Sequence, residues 1–97
     1  MSELLKLAKQ CLSIVETAKL KDEEIKMLIK AGMRDLKRQG IRQDTDDDLV
    51  KSAIVLFVKA NFGNVDIKEK ELAQKTYSRL CISLSLSDYY KESDSNA

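Results

Sequence analysis

"LVKSAIVLFVKANF", residues Leu49 to Phe62, is apolar around almost its whole circumference. At 100° per residue, Lys51, Ser52 and Lys59 crowd one narrow sector, and Val50, Ile54, Leu56, Phe57, Val58 and Phe62 fill nearly all the rest. A helix of this length runs about 21 Å, and one amphipathic neighbour hides only one stripe of it. Several helices of the same chain must surround it, or other subunits must complete its cover. A four-helix packing commonly centres on its most hydrophobic helix, so Phe57 and Phe62 are expected mainly in the chain's own core. Val50, Phe57, Val58 and Phe62 are the residues to watch, as core or as contacts to another subunit.

The rest of the 97 residues supplies candidates for that cover. Leu4, Leu5, Ala8, Cys11, Leu12 and Val15 recur at intervals of three and four, which predicts a first helix ending near Glu16. "ETAKLK" is a polar connection. Asp22, Glu23 and Glu24 then put negative charge at the start of a second helix, whose buried stripe is Ile25, Leu28, Ile29, Gly32, Met33 and Leu36. Lys37, Arg38 and Gly40 mark its end. Gly32 inside a helix costs roughly 1 kcal/mol relative to alanine, so a neighbouring backbone is expected to pass close to it.

"DTDDD", Asp44 to Asp48, has the carboxylates a hard cation prefers but lacks the spaced ligands and glycine of a calcium loop. Capping is the better reading: Thr45 followed by Asp48 fits a capping box, and the other acids favour the positive end of the apolar helix. "NFGNVD" ends that helix, with Gly63 as the expected reversal, and Asp66 with Glu69 offers a second capping pair. Leu72, Ala73, Thr76, Tyr77, Leu80, Cys81 and Leu84 then form a fourth helical face. Its end is ambiguous. "CISLSLS" also alternates with a period of two, so the helix either continues to about Leu86 or gives way to an extended arm. The expected fold is all-α, a compact bundle of about four helices over residues 1–87, with a flexible or extended C-terminal arm and a mobile tail over 88–97.

Composition narrows the function classes. Hydrophobic residues make up 43% and charged residues 34%, with no proline and three glycines, a profile of a helical globule. Lysine and arginine exceed the acids by one, too small an excess for strong nonspecific DNA binding. The longest unbroken apolar run, Ala53 to Val58, is too short to span a bilayer, and "MSELLKLAKQ" lacks a signal-peptide core, so a cytoplasmic protein is expected. There is no histidine, which removes the commonest acid-base group and leaves serines and thiols without an activating base. Cys11 and Cys81 have no metal-ligand spacing and fall on apolar faces, where buried thiols are expected. The lysines, Lys6, Lys9, Lys19, Lys21, Lys26 and Lys30 among them, recur near acids and are read as solvated faces. No enzyme, metal or cofactor is expected.

The succession "LLKLAKQCLSI", "DEEIKMLIKAGMRDLKRQGI", "DDLVKSAIVLFVKANFGN" and "YSRLCISLSLSDYY" resembles the small head-tail connector family of tailed bacteriophages and prophages, over nearly the whole chain. The resemblance implies a structural subunit that forms a homo-oligomeric ring of about a dozen copies, beneath the portal, after DNA packaging. It implies portal and stopper or tail-completion proteins as partners, a location in the virion neck after assembly in the host cytoplasm, only transient proximity to DNA, and no membrane. On that view Leu84, Leu86, Tyr89 and Tyr90 are candidates for partner binding, and Asp46, Asp47, Asp48 and Asp88 for the channel wall. Two other readings remain: a helical regulator that holds one partner helix in its apolar groove, and a nucleic-acid binder using Arg34, Lys37, Arg38 and Arg42.

Overall fold

Helices form where the apolar spacing calls for them, at α1 (Ser2–Cys11), α2 (Asp22–Arg38), α3 (Asp48–Asn61) and α4 (Ile67–Ser85). The computed structural model describes residues 2–91, and the all-α expectation holds across them: no strand forms beyond one isolated bridge between Ile41 and Lys91. α3 is the central helix. It packs against α1, α2 and α4, while α1 also packs against α2. Val50, Ala53, Ile54 and Val58 lose all exposure, and Phe62 nearly all. Full burial of each larger aliphatic contributes about 1.5 to 3 kcal/mol.

The helix ends differ from the sequence reading in instructive ways. α1 stops at Cys11, not near Glu16, because Ser13 adopts a left-handed conformation (φ 61°). The Ile14 amide then donates to the Lys9 carbonyl at 2.8 Å, closing the end of the helix. Beyond this reversal the three-four spacing no longer describes one face, and Val15, expected in the stripe, is 68% exposed. α2 does end on Gly40 (φ 75°), with the Ile41 amide donating to the Leu36 carbonyl at 2.9 Å. At Gly32 the close neighbour is a side chain, not a backbone. A Cβ there would meet Phe57 ring atoms at 3.1 and 3.2 Å.

The cap of α3 is Asp47 instead of Thr45. Its carboxylate accepts from the Leu49 amide at 2.8 Å and the Val50 amide at 3.2 Å, while Asp44 accepts from the Asp46 amide at 3.0 Å in the preceding turn. That turn delays the helix by two residues relative to a cap at Thr45. At the other end Phe62 is extended (φ -75°, ψ 131°) and makes the reversal expected of Gly63, since its buried ring fixes the exit direction. Asp66 caps α4 by accepting from the Lys68 amide at 3.0 Å. Glu69 does not complete a box but faces Lys59 at 3.3 Å.

Two corrections concern buried polar contacts. Lys9 is not on a solvated face: it is 2% exposed. Its ammonium donates to the Glu16 carbonyl at 2.9 Å, to the Ala18 carbonyl, and to Asp22 Oδ1 at 2.7 Å. One side chain thereby ties the α1–α2 connection to both helices, with all three of its donors matched. Cys81 is buried as expected, whereas Cys11 is only half-buried.

Candidate functional site

The end of the chain decides what surface is available. α4 continues through Ser85, so helical geometry applies to "CISLSLS". A strand would have put Ile82, Leu84 and Leu86 together; the helix sends Leu84 into the core and leaves Ile82 and Leu86 outside, at 60% and 76% exposure. Leu84, expected as a partner contact, is therefore a core residue in this subunit. Residues 87–91 then turn back. The Arg42 amide donates to the Tyr90 carbonyl at 2.8 Å, and the Tyr90 hydroxyl donates to the Asp47 carboxylate at 3.0 and 3.1 Å. Tyr89 stays outside, 62% exposed, edge-on to Tyr90 and beneath the Arg42 guanidinium, 5.6 Å from its ring centre. Thus the first four residues of the expected mobile tail are attached to the α2–α3 connection. Residues 92–97 lie outside the described residues.

Of the four candidate partner residues, Leu86 and Tyr89 are free surface; Leu84 and Tyr90 hold the segment that carries them. The four candidates on α3 divide similarly. Val50, Val58 and Phe62 are core, and Phe57 is half-buried, lying over Gly32 and meeting the Tyr77 ring edge-on at 5.5 Å.

The acidic candidates do not act as one group. Asp47 is engaged by two amides and Tyr90. Its burial would raise the carboxyl, but the Tyr90 hydroxyl and the Val50 and Leu49 amides outweigh that and hold it below the usual carboxylate range. Asp46 and Asp48 are exposed and carry no ion pair among the described residues. Asp88 is on the far side of the fold-back, 98% exposed, with Lys91 at 3.6 Å. Among the described residues no three potential ligands converge on a metal position.

A polar cluster missed by the sequence reading joins α2 to α4. Asp35 accepts from the Tyr77 hydroxyl, from Arg38 and, at 3.0 Å, from Gln39. Burial pushes the Asp35 carboxyl up, but Tyr77 and Arg38 prevail and lower it. The same burial, with Asp35 alongside, pushes the Tyr77 hydroxyl up, and burial raises the Cys81 thiol next to them. This is a satisfied crosslink with no activated nucleophile. Its signal was present: Asp35 falls on the edge of the α2 apolar stripe, and Tyr77 brings a hydroxyl into the middle of the α4 stripe.

What remains open is broad and largely apolar. The outer face of α4 exposes Leu72, Ile82 and Leu86, and a groove between α1 and α3 is lined by Leu7, Val55 and Leu56. No described helix is long and apolar enough to cross a membrane. Surfaces of this kind suit contact with other proteins. Comparisons with curated proteins and with solved structures find no match. The family model described as phage connector protein matches residues 4–91, which takes in α2, α3, α4, the fold-back and all of α1 but its first two residues. The match spans most of the chain, and with it the bare helix faces have a context: this chain belongs to the phage connector protein family.

Proposed function

We propose that this protein assembles as a ring at the virion neck, between the portal and the stopper or tail-completion proteins, and leaves a channel for DNA. The observation that carries the reading is the family match over residues 4–91. The apolar residues left outside the core support it. Leu72 and Ile82, largely exposed, add little to the stability of the isolated subunit, yet they lie along one helix. Closed ring symmetry gives such surfaces a partner without any new molecule.

The mechanism is mechanical and electrostatic. A formal net charge of +1 suits a collar that DNA must pass through, because many cations on the lumen would release counterions and grip phosphates. Of the acidic candidates, Asp88 is the one whose carboxylate stands almost fully clear of the subunit. Leu86 and Tyr89 are assigned to the portal or stopper, with Leu84 and Tyr90 anchoring the segment from beneath.

The test is to add purified protein to portal-bearing, DNA-filled heads and image the necks. Rings of added density below the portal are expected, and the double variant Leu86→Ser/Tyr89→Ser should fold normally yet fail to attach. Heads that never acquire the protein would overturn the reading; full attachment of the double variant would remove Leu86 and Tyr89 from it.

A further inference from the structure

We propose that the groove between α1 and α3 receives the outer face of α4 from a second copy of this chain. The inference rests on the ring reading above and assigns the two surfaces that would make its subunit contact.

Lys68, Leu72, Lys75, Arg79 and Ile82 all fall within a sector of about 80° on α4 at 100° per residue. The buried residues Ala73, Tyr77, Cys81 and Leu84 occupy the opposite side. The stripe is therefore the outermost line of the helix, two large aliphatics interleaved with three cations. None of those cations has an ion pair among the described residues.

The groove has the complementary character. It encloses about 490 Å³, floored by Leu7, Val55 and Leu56 and edged by Asp48. Asp48 carries no ion pair among the described residues, nor does Asp46 two positions before it in the chain, while Lys51, also part of the groove lining, faces Glu3 at 3.2 Å and so is already neutralised. An apolar stripe carrying unpaired cations thus matches an apolar groove beside unpaired carboxylates. Complementary charge of this kind orients docking and suppresses the wrong pairings. The two surfaces are different, so each copy presents one of each. The contact is heterologous and can continue from copy to copy until it closes. Asp46 and Asp48 then meet a neighbouring subunit and not the channel.

Two double variants test the pairing with the full chain, both at exposed positions: Lys75→Glu/Arg79→Glu and Asp46→Lys/Asp48→Lys. Native mass spectrometry and sedimentation, alone and with portal-bearing heads, read the assembly; circular dichroism checks that each variant folds. Each variant alone should lose assembly, since acid would face acid or base face base. Mixed in equal amounts they should assemble again, because every contact then has opposite charges. Lys30→Glu/Arg34→Glu makes the same change in net charge on the outer face of α2 and should assemble as the wild type does. Variants that assemble alone, a mixture that stays monomeric, or equal loss in the α2 control would overturn the pairing. Wild-type protein that forms no ring on heads would instead overturn the ring reading, and the contact with it.

Discussion

Helix α3 is enclosed by α1, α2 and α4, so Val50, Ala53, Ile54 and Val58 lose all contact with solvent, whereas α4 rests on α3 along one face and turns Leu72, Ile82 and Leu86 outward. α3 is the more hydrophobic segment by sequence, yet most of its apolar circumference is answered within the subunit. α4 is the longer and more polar helix, and it carries the larger unanswered surface. Total hydrophobicity therefore does not locate an interaction surface. What locates it is apolar residue on the side of a helix away from its neighbours, where burial within the monomer contributes nothing.

Matched substitutions break or sharpen that contrast most strongly. Ile54→Ala should destabilise the isolated subunit by about 4 kcal/mol, from lost transfer energy and the cavity left in a packed core. Ile82→Ala should change stability by less than about 0.5 kcal/mol, while weakening assembly. Urea denaturation of both, with sedimentation of the folded proteins, separates the two effects. Equal losses of stability would mean that α4 has an internal partner on its outer face. The next largest effect concerns Lys9. Lys9→Met keeps much of the buried stem but removes the ammonium from three acceptors, so a loss of about 3 kcal/mol is expected. Proteolysis should then cut first between Leu12 and Lys21, the segment that Lys9 holds. A variant as stable as wild type would show that the connection is held by something else.

The sequence was legible where one local rule was unopposed. The stripe of α2, its acidic start and its Gly40 stop all agree, and the helix forms where they say. Lys9 was misread because lysine is usually solvated, although it lies between Leu5 and Leu12 at four and three residues, within the stripe itself. Ser13 carries no signal for its left-handed conformation; tertiary contacts of the connection, the Lys9 donors among them, hold it there. "DTDDD" fits a capping box at Thr45, but the Tyr90 hydroxyl bonds to Asp47, a contact between residues 43 apart in sequence. The candidate surface was harder still. Leu84 and Leu86 look equivalent in the alternating pattern, and only the continuation of α4 separates a core residue from an exposed one.

Acid should weaken the contacts that fix α1 to α2, α2 to α4 and the fold-back to α3. Asp22, held low chiefly by its bond from Lys9, and Asp35 and Asp47, held low against their own burial, all have folded-state values below 3.8. Well above that value both folded and unfolded chains are ionised and the stabilisation is complete. As the pH falls through 3.8 the unfolded chain takes up protons first, so stability declines and is lost once the folded carboxylates protonate. Thermal melts from pH 6 downward should be flat to roughly pH 5 and then fall. Asp35→Asn should start lower and fall less steeply. An unchanged slope would assign the acid sensitivity to Asp22 and Asp47 alone.

The smallest expected effect is at the fold-back. Tyr90→Phe removes the hydroxyl that donates to Asp47 but leaves both amide caps of α3 and the ring's edge contact with Tyr89 in position. The helix should persist, because Asp47 still caps it, and the global melt should move little. The bond from the Arg42 amide to the Tyr90 carbonyl should open more often, since the segment would be held at one point fewer. Hydrogen exchange at Arg42 should therefore accelerate while exchange at Val58, in the centre of α3, stays at the wild-type rate. If both accelerate together, the fold-back belongs to the same cooperative unit as the core. If only Arg42 does, residues 87–91 can leave the bundle without unfolding it, which is the property a segment needs if Leu86 and Tyr89 are to adjust to another protein.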